Sequence, residues 1–252
     1  MTLPPRLFCL VVNDKGGVGK SLVAALVAEQ FSASSRPIHL VEVEQHVEFT
    51  QLAYAHPPGI SVKPVALITK NETSGLTDMS VTPLDSLWNL IPEDPADGSI
   101  IVLDCGASAF QALMLWGAER RGLKPFRDAQ FRFLSVIPVQ AADSGAAKFA
   151  NLNAPLLAKF GDVVLARNLR AGTDFNMVDK SVLSLPNFSL LYRGRPLTDE
   201  LQQPHAAGLT NLTFRQLASL PAASRRAKLD AEDCAEHFAL QFTALLTQLK
   251  IS

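Results

Sequence analysis

The run Leu7-Phe8-Cys9-Leu10-Val11-Val12, followed closely by Asp14-Lys15-Gly16-Gly17-Val18-Gly19-Lys20-Ser21, decides the fold. An unbroken apolar run that ends at a glycine-rich turn is the pattern of a strand buried on both faces of a parallel sheet, here the first and central one. Beyond the turn, Leu22 to Phe31 is rich in alanine and leucine and holds no breaker, so the order is strand, glycine loop, helix. Such a loop aims several backbone N–H groups into one concavity, and Gly16, Gly17 and Gly19 leave the approach open to an anion. The helix begins near Lys20 and turns its positive end the same way. Lys20 then reaches the β and γ oxygens of a triphosphate, and the Ser21 hydroxyl serves Mg²⁺. The expectation is an ATP and Mg²⁺ site built from Gly16, Gly17, Val18, Gly19, Lys20, Ser21 and Leu22. A ligand-free strand-to-helix turn is the plain alternative, and the ordered context argues against it.

Outward from this unit the alternation repeats. Pro37 to Val41, Ile100 to Leu103, Phe133 to Ile137 and Val163 to Arg167 read as strands, while Ser108 to Arg121 and Ala142 to Phe160 have the length and apolar spacing of amphipathic helices. The proline-rich stretch from Ala55 to Asp97 reads less regularly, with a strand over Val62 to Ile68 and a helix over Leu84 to Ile91. From Ala222 to Lys250 a helix carries Phe238, Phe242, Leu245, Leu246 and Leu249 on one stripe. The expected architecture is a single domain over residues 1–252: a doubly wound α/β fold with a mostly parallel sheet and helices on both faces, in three layers.

Composition fits one such domain, with 252 residues and 48% hydrophobic content. A formal net charge of −1 gives no global pull toward nucleic acid or anionic membrane. Three widely spaced cysteines make neither a metal pair nor a disulfide framework, and no run nears the roughly 18 apolar residues of a membrane span, so a cytoplasmic protein is expected. The five histidines form no local constellation of the kind a kinase or synthetase acceptor pocket needs.

Asp104 closes an apolar strand at the carboxyl edge where open α/β sheets bind ligands, so it is a candidate for holding the Mg²⁺ hydration shell, with helix capping as the alternative. Gly106-Ala107-Ser108 would then run beside the γ-phosphate. Asn168, at another strand end, either reads an adenine edge or is an ordinary turn residue.

Lys15-Gly16-Gly17-Val18-Gly19-Lys20-Ser21 is similar to the deviant Walker A motif of the ParA/MinD superfamily, although Asp14 stands where the usual pattern opens with glycine. In that family the extra lysine, here Lys15, reaches the phosphates of the partner subunit, so the resemblance implies an ATP-dependent homodimer. A solvated lysine beside a local anion site is the other reading. The family's Asp-x-Asp after the second strand corresponds to Glu42-Val43-Glu44. The resemblance makes Glu42 a magnesium residue beside Ser21 and Asp104, and Glu44 the orienter of the attacking water, so Lys15, Lys20, Glu44 and Asp104 form the catalytic set. Each glutamate has a longer arm, and about 1 Å of misplacement costs on the order of 10²-fold in rate. Exposed strand-end charges are the alternative.

Val102-Leu103-Asp104-Cys105-Gly106-Ala107-Ser108-Ala109-Phe110 resembles the corresponding segment of the TraL/StbB-like nucleotide-binding proteins of conjugative plasmids. That implies a role in plasmid transfer, stability or positioning, with plasmid-encoded partners. Two basic clusters, Arg120-Arg121 with Lys124, Arg127 and Arg132, and Arg225-Arg226 with Lys228, are candidates for the DNA contacts of a partitioning protein or are solvated faces. The C-terminal stripe has only Lys250 beside it, which disfavours a membrane-targeting helix. Cys105 beside Asp104 is not the arrangement of a nitrogenase-type iron protein. An ATP-hydrolysing switch and a module that uses ATP only to dimerise both remain open, divided by Glu44.

Overall fold

The computed structural model describes residues 5–32, 34, 36–44, 60–70, 77–94, 97–107, 109–191 and 213–251. Strand β1 (Leu7–Val12) lies at the middle of a seven-stranded sheet. On one side stand β6 (Ile100–Cys105), β2 (Ile38–Glu44) and β3 (Ile60–Ala66); on the other stand β7 (Arg132–Gln140), β8 (Asp162–Asn168) and β9 (Asn187–Leu190). Every neighbouring pair is parallel, so the main sheet is wholly rather than mostly so. β1 and β6 are buried along their whole length, which is why their sequences are continuously apolar.

One face is covered by α1 (Lys20–Phe31), α6 (Phe214–Ser219) and α7 (Arg225–Gln248). α1 is apolar nearly all round because it is enclosed, with the sheet beneath it and Phe242 of α7 meeting Phe31 edge-on at 6.2 Å between ring centroids. The expected C-terminal stripe packs onto the core: Phe238, Phe242, Leu245 and Leu246 are buried, and Phe188 of β9 stands edge-on to both rings at 5.3 and 5.8 Å. The opposite face carries α2 (Ala109–Glu119), α3 (Lys124–Asp128), α4 (Ser144–Leu157) and α5 (Lys180–Leu183).

The middle of the chain departs from expectation. Thr82–Leu90 is a 3-10 helix rather than an α-helix. Its tighter repeat brings Leu84 and Leu87 to one buried face, and it docks on α2 through Trp116, whose indole donates to Asp85 at 2.9 Å. The strand expected over Val62 to Ile68 ends at Ala66 and is followed by a separate antiparallel pair, β4 (Ile68–Lys70) with β5 (Thr77–Met79). Pro64 is tolerated because β3 is an edge strand. Among the described residues no helix is long and apolar enough to cross a membrane.

Candidate functional site

The chain leaves β1 at Val12 and turns through residues 13–19 into α1. Gly17 and Gly19 have φ of +77° and +97°, the left-handed region that a side chain disfavours. Gly19 caps α1 with no side-chain hydrogen bond, so the first-turn amides are directed into the loop rather than consumed by a cap. Lys20, only 9% exposed, folds its ammonium back to donate to the Lys15 carbonyl at 2.8 Å. Burial lowers its pKa, and the negative potential of Asp104, then Glu44, acts in the other direction.

The carboxylates converge through strand register. Glu42 pairs with Asp104 across β2 and β6, and side chains alternate faces along a strand. Ile38 and Leu40, with Ile100 and Val102, belong to the core on the α1 side, so Glu42, Glu44 and Asp104 continue that same face toward Lys20 and Ser21. Burial first, then Asp104 and Glu44, push the Glu42 carboxyl up to about 8. Its Oε2 is buried and accepts no hydrogen bond from any described residue. Glu44 lies against Gly106, whose amide donates to Val43 O at 2.9 Å; a Cβ there would overlap the Glu44 carboxylate. Ser108 lies outside the described residues.

Among the described residues no group of three or more His, Cys, Asp or Glu side chains forms a self-sufficient metal site. One hydroxyl and two carboxylates suit Mg²⁺ all the same, because Mg²⁺ keeps much of its shell as water and phosphate oxygen. The crowded pair and the uncompensated Glu42 oxygen fit a cation at this place.

Two asparagines hold the loop from behind. Asn13, fully buried, donates through Nδ2 to Pro138 O at 2.8 Å and Ala146 O at 3.4 Å, while its Oδ1 accepts from Lys15 N at 2.9 Å. Pro138 is available because β7 outruns β1, whose last partner is Val136. Sequence reading missed Asn13; its only signal is a polar residue where an apolar strand meets the loop. Asn168, considered above as a base reader, is 1% exposed, donates to Val18 O at 3.0 Å and accepts from Arg170 N at 3.0 Å. In this structure it braces the loop. Its Nδ2 is also the atom a Cβ at Gly19 would meet, at 3.0 Å.

Lys15 is exposed, and its stem runs toward the start of α4, where a Cβ at Gly145 would stand 3.4 Å from its Cδ. Much of the basic clusters is committed internally. Arg120, Lys124 and Arg132 pair with Asp85, Asp128 and Asp162, Arg226 pairs with Asp230, and Lys228 donates to Pro221 O.

No protein-family model matches the chain, and no curated protein matches it. Among solved structures, a ParA family ATPase from Chlorobium tepidum is similar at a TM-score of 0.53 and 14% identity, covering 93% of this chain and 99% of that one. The MinD cell division protein of Aquifex aeolicus gives 0.44 and 12%, covering 90% and 94%. Cobyrinic acid a,c-diamide synthase from Mycobacterium smegmatis, solved with a bound ATP analogue and magnesium, gives 0.41 and 17%, covering 95% and 96%. The chain thus has an α/β P-loop fold, shared with a ParA-type ATPase, and at the level of fold the expected likeness is borne out.

Proposed function

We propose that this chain binds ATP with Mg²⁺ on the loop from Gly16 to Leu22 and acts as a slowly hydrolysing, ATP-dependent homodimeric switch of the ParA/MinD type. The observation that carries the reading is the convergence, at the carboxyl ends of β1, β2 and β6, of Lys20, Ser21 and the register-paired Glu42 and Asp104 on one face. The loop amides cradle the phosphates, and Lys20 exchanges the Lys15 carbonyl for a phosphate oxygen. Ser21, Glu42 and Asp104 hold the metal and its water. When bound, Mg²⁺ neutralises phosphate charge and fixes the oxygens for in-line attack. Glu44, set against Gly106, orients the water. Lys15 is exposed and free to reach a second subunit, and Asn168 positions the loop behind the nucleotide.

The resemblance of the Asp104 segment extends the proposal to plasmid transfer, stability or positioning, with plasmid-encoded partners. A cytoplasmic location accords with three buried free cysteines. Internal pairing of the basic clusters leaves few cations for DNA phosphates, so a protein partner is the preferred target of the switch.

Sedimentation without nucleotide and with ADP, ATP or a nonhydrolysable analogue, with phosphate release followed in the same samples, tests the proposal. ATP is expected to give a dimer that decays as phosphate appears. A persistent dimer without phosphate would make the protein an ATP-locked binding module, and a mass indifferent to nucleotide would refute the role of Lys15. Lys20→Ala is expected to abolish ATP binding, whereas Lys15→Ala keeps binding and loses dimerisation. Equal loss of affinity in both would confine Lys15 to its own subunit.

A further inference from the structure

Toward the amino ends of β1 and β7, away from the phosphate loop, α2, the turn after it and the end of α4 enclose a cavity of about 150 Å³ that opens to the surface. Phe8 and Leu10 of β1 and Ser135 of β7 line its sheet side, and Leu123, Phe133 and Phe160 are half-buried at its rim. Protein interiors leave few voids larger than a water molecule, and an apolar space of this size holds a benzene-sized body.

Two features distinguish it from a packing fault. Gly117 of α2 lines it, yet nothing in the fold demands a glycine there. Its φ is not positive, and a Cβ would stand 3.7 Å from Leu123 Cδ1, an ordinary contact. A glycine inside a helix weakens it relative to alanine, and its effect here is to keep the cavity wall open. The second feature is Arg127 of α3. Its guanidinium carbon lies 5.8 Å from the Phe133 ring centroid and 5.4 Å from that of Phe160, over the aromatic rim. The neighbouring cations Arg120, Lys124 and Arg132 are each matched by an aspartate, while Arg127 pairs with no carboxylate among the described residues. Arg127 does not itself line the cavity but lies against two residues that do, Phe133 and Phe160. An apolar pit with an unmatched cation beside its rim is complementary to a small anion whose apolar body fills the pit and whose head extends past the rim.

We propose that this cavity is a second ligand site, independent of the nucleotide site, for a small organic carboxylate of about six to eight apolar heavy atoms whose charged head pairs with Arg127.

The test titrates the full chain with benzoate and hexanoate as anionic probes and toluene as a neutral one, followed by amide NMR shifts and thermal melting. Saturable binding of an anionic probe is expected, with shifts centred on Gly117 and Ser135. Arg127→Ala is expected to weaken that binding about tenfold while toluene binding is unchanged. Gly117→Leu, which fills the space, should abolish binding of both kinds. Gly117→Ala meets only ordinary contacts, so it should weaken binding while raising the melting temperature, which keeps the test valid if the leucine variant fails to fold. Absence of saturable anion binding, binding of toluene alone, or anion binding indifferent to Arg127→Ala and Gly117→Ala would each overturn the proposal.

Discussion

Asn13→Ala removes the buried fastening that ties the loop to β7 and, more weakly, to α4. The side chain donates to Pro138 O at 2.8 Å and, more weakly, to Ala146 O at 3.4 Å, and accepts from Lys15 N at 2.9 Å. An intramolecular hydrogen bond contributes about 1 kcal/mol net, and a buried group left without a partner costs about 1–3 kcal/mol. Two good bonds, one long one and a stranded Pro138 carbonyl together give a loss of about 3 kcal/mol. In a chain of this length each kcal/mol lowers the melting temperature by about 2–4 °C, so a fall of about 6–12 °C is expected. Nucleotide affinity should fall too, because the loop amides lose their common orientation. Asn13→Asp separates shape from chemistry. It keeps the acceptor for Lys15 N but turns a buried carboxylate oxygen toward two carbonyls, so it should destabilise at least as much as alanine. Thermal melting and fluorescent-nucleotide titration of both variants check this. Melting within about 2 °C of the parent chain, or unchanged nucleotide affinity, would refute the fastening role.

Gly106→Ala forces the Glu44 carboxylate from its place. Phosphate release is expected to fall about tenfold or more while nucleotide affinity holds within about threefold; equal loss of both would show that Glu44 is not the group displaced. Glu29 of α1 is buried and accepts from the Thr213 hydroxyl at 2.6 Å, and its Oε2 accepts from no described residue. Burial raises its pKa, opposed by that hydrogen bond and by Arg215. A carboxyl raised in the fold binds more protons there than in the unfolded chain, so stability falls as pH rises from the ordinary carboxylate value through the raised one. Glu29→Gln retains an acceptor for Thr213 and should remove that slope, raising the melting temperature at pH 7. A variant that melts lower at pH 7 and equally at pH 4 would contradict this.

The central strands were legible because burial on both faces removes any need for alternation. β1, β6, β7 and β8 all read as apolar runs, and glycine spacing with Lys20-Ser21 located the loop. β9 was not legible: four residues, Asn187–Leu190, with only Phe188 and Leu190 buried, carry too little pattern to separate from a turn. The 3-10 helix at Thr82–Leu90 and the β4–β5 pair were obscured by prolines whose effect depends on what the segment packs against. For the candidate site, residue types announced Lys20, Ser21 and Asp104. The place of Glu42 depends on β6 inserting between β1 and β2, a long-range fact that no local pattern encodes. Asn13 and Asn168 have the same difficulty, since each acts on a partner more than 100 residues away, across separations of 125 and 150.

The central position of β1 also sets the order in which the chain must assemble. Leu7 has its sheet partners in Ile100 and Arg132, so β1 has none of its native neighbours to pair with until those later strands are made. At about 5–20 residues per second that delay is about 5–20 s for β6 and longer for β7. Helix formation in α1 is faster by many orders of magnitude, but a helix of 12 residues is marginal alone, so α1 too is held only once the sheet beneath it exists. Until then that strand, unpaired on both edges and apolar on both faces, is open to wrong pairings, and the phosphate loop that hangs on its end has no fixed base before β6 and β7 are in place.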